Sequence, residues 1–246
     1  MINPFGSAVF PKVLAAMQAH TVKTEAELLR EVIEENYQRF DNATENYPLV
    51  MDWDDIVQVV AARYGLAIPY NLVTLVEDHC TPPHISTIDD SVGILQQLTL
   101  PHRKLVVASM GLSKYQMPVL NALGLTPLFH DFLMPDLTGY LKTDPRFYGK
   151  YTALEPRPTF ISLGDRYRDD ILTPKSCGFY ALLKLSIAGL ENVPPLERPQ
   201  QLIQHRDQVD DLPENPTVLP DAVISHLSEL PAVIEHLENQ HTSAMG

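Results

Sequence analysis

Four polar residues of this sequence are of the types that bind a phosphoryl group and a divalent cation. Ser109 ends an apolar run, Lys142 lies in a loop region, and Asp165 follows a second apolar run with Asp170 five positions later. A hydroxyl, an ammonium group and two carboxylates are the groups that magnesium-dependent phosphoryl transfer uses. If the fold brings them together, these residues predict one phosphate-binding and metal-binding site.

The segment Ser109, Met110 and Gly111 is the candidate phosphate-binding loop. The Ser109 hydroxyl and the backbone amides after it could hold phosphoryl oxygens, and the ammonium group of Lys142 could balance the charge that gathers there. Each residue also has an ordinary interpretation, since a serine at such a position often caps a turn and a single lysine is usually exposed. Taken one at a time, the ordinary interpretations are favoured.

Asp165 and Asp170 are the candidate metal ligands. Open parallel sheets bind their ligands at the carboxyl ends of the strands, and Asp165 follows Gly164 at such an end. Two carboxylates that leave room for water and phosphate suit Mg²⁺. The alternative, weighed about equally, is that Gly164 and Asp165 only begin a turn or cap a helix. Asp169 could be an outer partner of the metal ligands or a solvated side chain.

Strands and helices that alternate after residue 104 must position these side chains. Apolar runs predict five strands, at 104–109, 127–133, 158–163, 178–183 and 222–225, with helical segments among them. This alternation is typical of a parallel sheet with helices on both faces, so the predicted fold class is a three-layer, Rossmann-like α/β fold. Residues 191–221 are rich in proline and acidic residues and are predicted to form a surface excursion.

The first hundred residues have the spacing of helices. Thr24 and Glu27 form a capping-box pattern at the start of one predicted helix. A second helix is predicted from Asp52 to about Gly65, and a third over residues 89–98. No segment between residues 11 and 100 alternates convincingly as a strand.

The order of these motifs resembles motifs two, three and four of the haloacid dehalogenase-like hydrolase superfamily. Lys142 is followed by Thr143-Asp144-Pro145, which is close to the Pro-Asp-Pro that often follows the family lysine. The sequence from Gly164 to Asp170 matches the family's Gly-Asp-x-x-x-x-Asp. The resemblance covers about residues 104–190. It implies a helical cap at 11–100 and an α/β core domain at 101–246.

The resemblance also implies an activity and residue roles. The intact protein would be a phosphohydrolase that hydrolyses a small phosphate monoester, a phosphorylated metabolite, with the two aspartates holding Mg²⁺. Ser109 and Lys142 would be catalytic, and both would bind the phosphate together with Met110 and Gly111. Met110 departs from the family pattern, because related sequences often have a polar residue beside the serine.

The first motif of the family, an Asp-x-Asp on an N-terminal strand, is expected to be missing. The family uses its first aspartate as the nucleophile and the second as a general acid and base. The sequence has this pattern only at Asp52-Trp53-Asp54, where a helix cap is the favoured interpretation. Residues 7–10 could partly replace the missing first strand. The chain as given is therefore expected to be inactive, with Mg²⁺ bound weakly or not at all.

Two alternative functions stay open. A dehalogenase of the same family would need no magnesium, but the resemblance implies uncharged residues in place of its last-motif Gly-Asp, so Asp165 and Asp170 favour phosphate. A non-catalytic binding protein could keep the fold without the nucleophile. The missing Asp-x-Asp is what supports this second alternative.

Composition limits the classes of partner. The 18 basic and 31 acidic residues give a net charge of −13 and argue against nucleic acid or an anionic membrane. No apolar run approaches the length of a membrane span, and Cys80 and Cys177 fit reduced thiols, so a cytoplasmic location is expected. The oligomeric state cannot be read from the sequence.

Overall fold

Helices and short strands make up the described residues, which are 1–43, 47–155 and 158–244 of this computed structural model. Residues 245 and 246 of the predicted core domain lie outside the described residues. The helices are α1 Phe10–Gln18, α2 Glu25–Asp41, α3 Tyr47–Val50, α4 Trp53–Ala62, α5 Leu72–Asp78, α6 Ser91–Leu98, α7 Ser113–Ala122, α8 Pro135–Thr138, α9 Gly149–Thr152, α10 Thr173–Ser176 and α11 Leu230–Ala244. The strands are β1 Val106–Ala108, β2 Asp131–Leu133, β3 Ile161–Gly164, β4 Tyr180–Lys184 and β5 Ala222–Ile224. None of these helices combines the length and the apolar character that crossing a membrane requires.

The chain divides into two compact units, each built from two stretches of sequence. The first unit contains Met1–Ile88 and Leu105–Leu141, and the second contains Asp89–Lys104 and Lys142–Gly246. This division follows packing within each unit and does not test the predicted cap at 11–100 or the predicted core at 101–246. Those boundaries therefore stay a prediction.

Helices of the first unit begin where local signals predict them. The Thr24 hydroxyl accepts a hydrogen bond from the Glu27 amide, and the Glu27 carboxylate accepts one from the Thr24 amide, so the predicted capping box starts α2. Asp52 caps α4, because its carboxylate accepts the Asp54 amide hydrogen. The buried faces of these helices meet in one apolar core, which includes Leu28, Val32, Ile56, Val57, Leu72, Leu75, Tyr115 and Val119.

Strands β1 and β2 of the first unit pair in parallel, with Val106 opposite Asp131 and Ala108 opposite Leu133. The predicted strand at 127–133 is too long, because Thr126–Leu128 forms a 3₁₀ turn before β2. The possibility of a strand at residues 7–10 is wrong, since Phe5–Val9 forms a π-helical turn that leads directly into α1.

The second unit contains a parallel sheet in the order β3-β4-β5. Leu163 lies opposite Leu182, and Leu183 lies opposite Val223. Parallel pairing with intervening helical segments confirms the predicted α/β class. The site residues that follow β3 therefore lie at the carboxyl end of a sheet strand, as predicted.

The segment at 191–221 is more than a surface excursion. Leu202, Val209 and Leu212 are buried and pack in the same core as Leu183 and Val223 of the sheet. The prediction was wrong in this respect because proline and acidic residues dominate the composition and hide the few apolar residues that do the packing.

Candidate active site

A buried ion pair joins Lys142 to Asp170. The Lys142 ammonium group donates to Oδ1 of Asp170, and both residues are less than a tenth exposed, at 6% and 4%. Asp170 lies in the π-helical turn Tyr167–Leu172, where its Oδ2 accepts the Arg166 amide hydrogen at 2.9 Å. A buried carboxylate is costly unless it is paired and hydrogen-bonded. These two donors satisfy both oxygens of Asp170.

Gly164 makes room for this carboxylate. A Cβ atom at position 164 would overlap the carboxyl group of Asp170, which passes directly over the end of β3. The glycine of the Gly-Asp pattern is therefore required by close packing, because any side chain here would displace the carboxylate from Lys142.

The two other aspartates between the end of β3 and this turn's middle, Asp165 and Asp169, differ in their exposure. Asp165 follows the carboxyl end of β3 and is exposed, so its carboxylate is open to a ligand. Asp169 is buried, so the prediction that it could be a solvated side chain is wrong. Burial and the neighbouring charge of Asp170 raise the pKa of Asp169 above its usual value. Residues 165–170 thus carry one accessible carboxylate and two buried ones.

Asp165 and Asp170 offer two carboxylates, and Mg²⁺ sites in proteins often use one or two carboxylates with water and phosphate as the other ligands. Oxygen ligands are what Mg²⁺ prefers. In the described part of the chain, however, no group of three or more His, Cys, Asp or Glu side chains is arranged to hold a metal ion. A cation shared by Asp165 and Asp170 would also compete with the ammonium group of Lys142. Weak binding of Mg²⁺ stays a prediction.

The predicted phosphate loop lies in the first unit, between β1 and α7. The Ser109 amide donates to the Leu133 carbonyl at 3.0 Å, and the Ser109 hydroxyl accepts the Gly111 amide hydrogen at 3.1 Å. The hydroxyl thus caps its own turn, as its ordinary interpretation predicts. Met110 and Gly111 are both half-buried.

The structure brings together only some of the predicted site residues. Lys142 contacts Asp170, and Asp165 lies in the same loop region at the end of β3. Ser109, Met110 and Gly111 belong to the other unit. Convergence of all the predicted residues at one site therefore stays a prediction.

Tyr148 is a candidate site residue that the sequence reasoning missed. It follows Lys142 by six positions, is 3% exposed, and packs its ring against Phe179 with the ring centroids 5.4 Å apart. Its hydroxyl has no hydrogen-bond partner among the described residues. Burial, and next the charge of Asp170, raise the pKa of this phenol. Nothing in the spacing of the sequence motifs pointed to this tyrosine.

Comparison with known proteins shows similarity in fold. No family model matches the chain, and no curated protein sequence matches it. The HAD-hydrolase YfnB from Bacillus subtilis bound to magnesium is 17% identical with a TM-score of 0.60, over 97% of this chain and 94% of that chain. The HAD phosphatase from Thermococcus onnurineus is 20% identical with a TM-score of 0.57, over 92% and 87%. The L-2-haloacid dehalogenase from Xanthobacter autotrophicus is 15% identical with a TM-score of 0.58, over 92% and 93%. Identities this low show a shared fold, which confirms the predicted fold class.

Proposed function

We propose, for a chain that has the haloacid dehalogenase-like fold, that its site serves the magnesium-dependent hydrolysis of a small phosphate monoester. The observation that carries the proposal is the buried Lys142–Asp170 pair above Gly164, at the carboxyl end of β3. This contact supports the proposal, because it joins two residues that match the third and fourth family motifs.

Each residue has a role in this proposal. Lys142 would balance the charge of a bound phosphoryl group, and its ion pair with Asp170 holds the ammonium group in place before a ligand arrives. Asp165 and Asp170 would hold Mg²⁺, which when bound would neutralise the charge of the phosphoryl oxygens. Ser109, with Met110 and Gly111 after it, would contact the phosphoryl oxygens, as the family resemblance implies.

Asp52 and Asp54 do not provide the nucleophile in this proposal. Their carboxylates lie at the start of a helix and are engaged by Lys114 and Tyr115. We therefore expect the 246-residue chain to have no significant phosphatase activity, because loss of a covalent catalyst removes several orders of magnitude of rate.

The test is an aryl phosphate assay with Mg²⁺ on two proteins. One is the chain itself, and the other carries an added N-terminal apolar strand that ends in Asp-x-Asp. We expect turnover only in the second protein, and we expect Asp165→Asn to abolish it. If the extended protein folds but stays inactive, the phosphatase proposal is wrong. If the chain itself turns over substrate and Asp52→Asn removes the activity, Asp52 is the nucleophile after all.

A dehalogenase is the second candidate, because several proteins with this fold are L-2-haloacid dehalogenases. One of them is described with chloropropionic acid covalently bound. Release of chloride from 2-chloropropionate by the extended protein, without Mg²⁺, would favour this candidate. Activity on neither substrate would favour the non-catalytic binding protein.

A further inference from the structure

A second cluster of charged side chains lies in the first unit, whereas Lys142 and Asp170 belong to the second. The Lys114 ammonium group donates to Oδ1 of Asp52 at 2.7 Å and to Oδ2 of Asp54 at 3.4 Å. The Tyr115 hydroxyl lies 2.9 Å from each of the same two oxygens. These four residues, Asp52, Asp54, Lys114 and Tyr115, are here called the α7 clamp, because two of them begin α4 and the other two begin α7.

Neighbouring groups extend the hydrogen-bond network of the α7 clamp. The Tyr115 hydroxyl accepts the Asp54 amide hydrogen at 3.0 Å, and Oδ1 of Asp54 accepts the Leu72 amide hydrogen at 2.6 Å, which ties in the start of α5. Tyr115 is only 2% exposed, and the ring of Phe5 packs edge-on against it at 5.3 Å. Polar groups in such an apolar setting are strongly directional, because each lost partner leaves a buried group unsatisfied.

Electrostatics favour the clamp at neutral pH. Burial alone would raise the pKa of Asp52, but hydrogen bonds from Lys114 and Tyr115 outweigh burial and hold that pKa below its usual value. The pair of carboxylates is met by one ammonium group, so removal of Lys114 would leave two like charges beside a buried phenol. The charge balance of the clamp thus depends on Lys114 as well as on the two aspartates.

The helix that the clamp holds is also anchored at Ser113. The Ser113 amide donates to Oδ1 of Asp136 at 2.9 Å, and its hydroxyl donates to Oδ2 of the same carboxylate. The first three residues of α7 are therefore fixed by side chains from α4 and α8. The loop Ser109–Gly111 lies between this fixed turn and the end of β1, so its freedom is limited at both ends.

We propose that the α7 clamp is a positioning device for the Ser109–Gly111 loop. The clamp touches no ligand in this proposal, and its residues act only by holding the first turn of α7 against α4. A contribution of the clamp to phosphate binding rests on the proposed function, but the coupling between the clamp and the Ser109–Gly111 loop does not. The structure predicts that weakening the clamp loosens the loop before it unfolds the unit.

The test is amide hydrogen exchange at Gly111 and Ser113, whose amides are hydrogen-bonded to Ser109 and Asp136. Tyr115→Phe and Lys114→Met should raise exchange at both amides by about tenfold, because each removes a partner from the clamp. Lys114→Arg should restore most of the protection, since it keeps the cation. Lys114 is about a third exposed, so the Lys114→Met protein should fold even if Tyr115→Phe does not.

Tyr64→Phe is the matched control. It removes a phenol that donates to Glu31 at 2.6 Å, also in the first unit, but far from α7 along the chain. It should leave exchange at Gly111 and Ser113 unchanged. The proposal is overturned if the control and the clamp variants loosen these amides equally, or if neither clamp variant does so. An inactive extended protein would refute the phosphatase proposal without changing this result.

Discussion

Gly164 and Asp170 show at the scale of single residues how closely the site is packed. The carboxyl group of Asp170 lies where a side chain of residue 164 would stand, and the ammonium group of Lys142 fixes it there. A buried charge that loses its partner typically costs about 3–5 kcal/mol. Small shifts of the Asp170 side chain away from Lys142 should therefore lower the stability of the whole second unit.

Gly164→Ala is predicted to destabilise the protein by about 1–3 kcal/mol, because the added methyl group must displace the Asp170 carboxylate or the backbone of β3. Chemical denaturation measures the change. Gly149→Ala is the matched control in the same unit, since nothing lies within 4 Å of a Cβ at this position and its φ of −53° suits alanine. The control should be neutral or slightly stabilising. Equal losses in the two variants would show that close packing at Gly164 is not the cause.

Asp169→Asn is predicted to stabilise the protein at neutral pH. The pKa of Asp169 is raised from its usual value of 3.8, so its folded form resists ionisation. Folding stability from such a group is fully present below the unfolded pKa and is lost as pH rises through the folded pKa. Asparagine carries no charge and avoids this loss, so the difference from the wild type should vanish below about pH 3.8. Thermal unfolding across pH measures it, with exposed Asp207→Asn as the control. A gain that persists unchanged in acid would contradict the explanation.

At the scale of elements, Arg198 fastens the segment 191–221 to the end of β5. Its guanidinium group forms a two-point ion pair with Glu229 at 2.7 and 2.9 Å and donates to the carbonyl groups of Val193 and Val223. Arg198 is 2% exposed. A planar guanidinium group suits this set of acceptors, whereas a lysine ammonium group could not reach all of them.

Arg198→Lys is therefore predicted to cost about 1–3 kcal/mol and to expose the segment 191–221 to proteases. Limited proteolysis with mass spectrometry locates the cuts. Arg206→Lys serves as the control, because its pair with Glu214 is largely exposed and such pairs contribute little. If both variants are cut equally fast, Arg198 does not fasten the segment.

At the scale of the whole molecule, the sequence predicted what depends on local signals. The capping box at Thr24 and the cap at Asp52 need only neighbouring residues, and both were confirmed. The ion pair between Lys142 and Asp170 joins residues 28 positions apart, and the unpartnered hydroxyl of Tyr148 depends on the packing around it. Neither follows from spacing, because the side-chain partners are chosen by the folded chain. The family resemblance suggested that Lys142 and Asp170 share a site, but not their direct contact.

Magnesium is predicted to change the stability of the whole chain very little. Both oxygens of Asp170 already accept hydrogen bonds, so millimolar Mg²⁺ should raise the melting temperature by no more than about 1–2 °C. Thermal unfolding with and without Mg²⁺ measures this, and Asp165→Asn shows whether any shift comes from the site. A large shift that Asp165→Asn abolishes would mean that the metal site is complete in this chain.

The interleaving of the two units has a consequence for protein synthesis. Residues 89–104 leave the ribosome between the two stretches of the first unit, but they belong to the second. Arg103 pairs with Glu238, 135 positions later, and α6 packs against α11. The first unit can close once Leu141 has emerged, whereas residues 89–104 must wait until Glu238 has emerged. During that interval residues 89–104 are without their native contacts and can form non-native ones. The rate of elongation therefore affects how well the nascent chain folds.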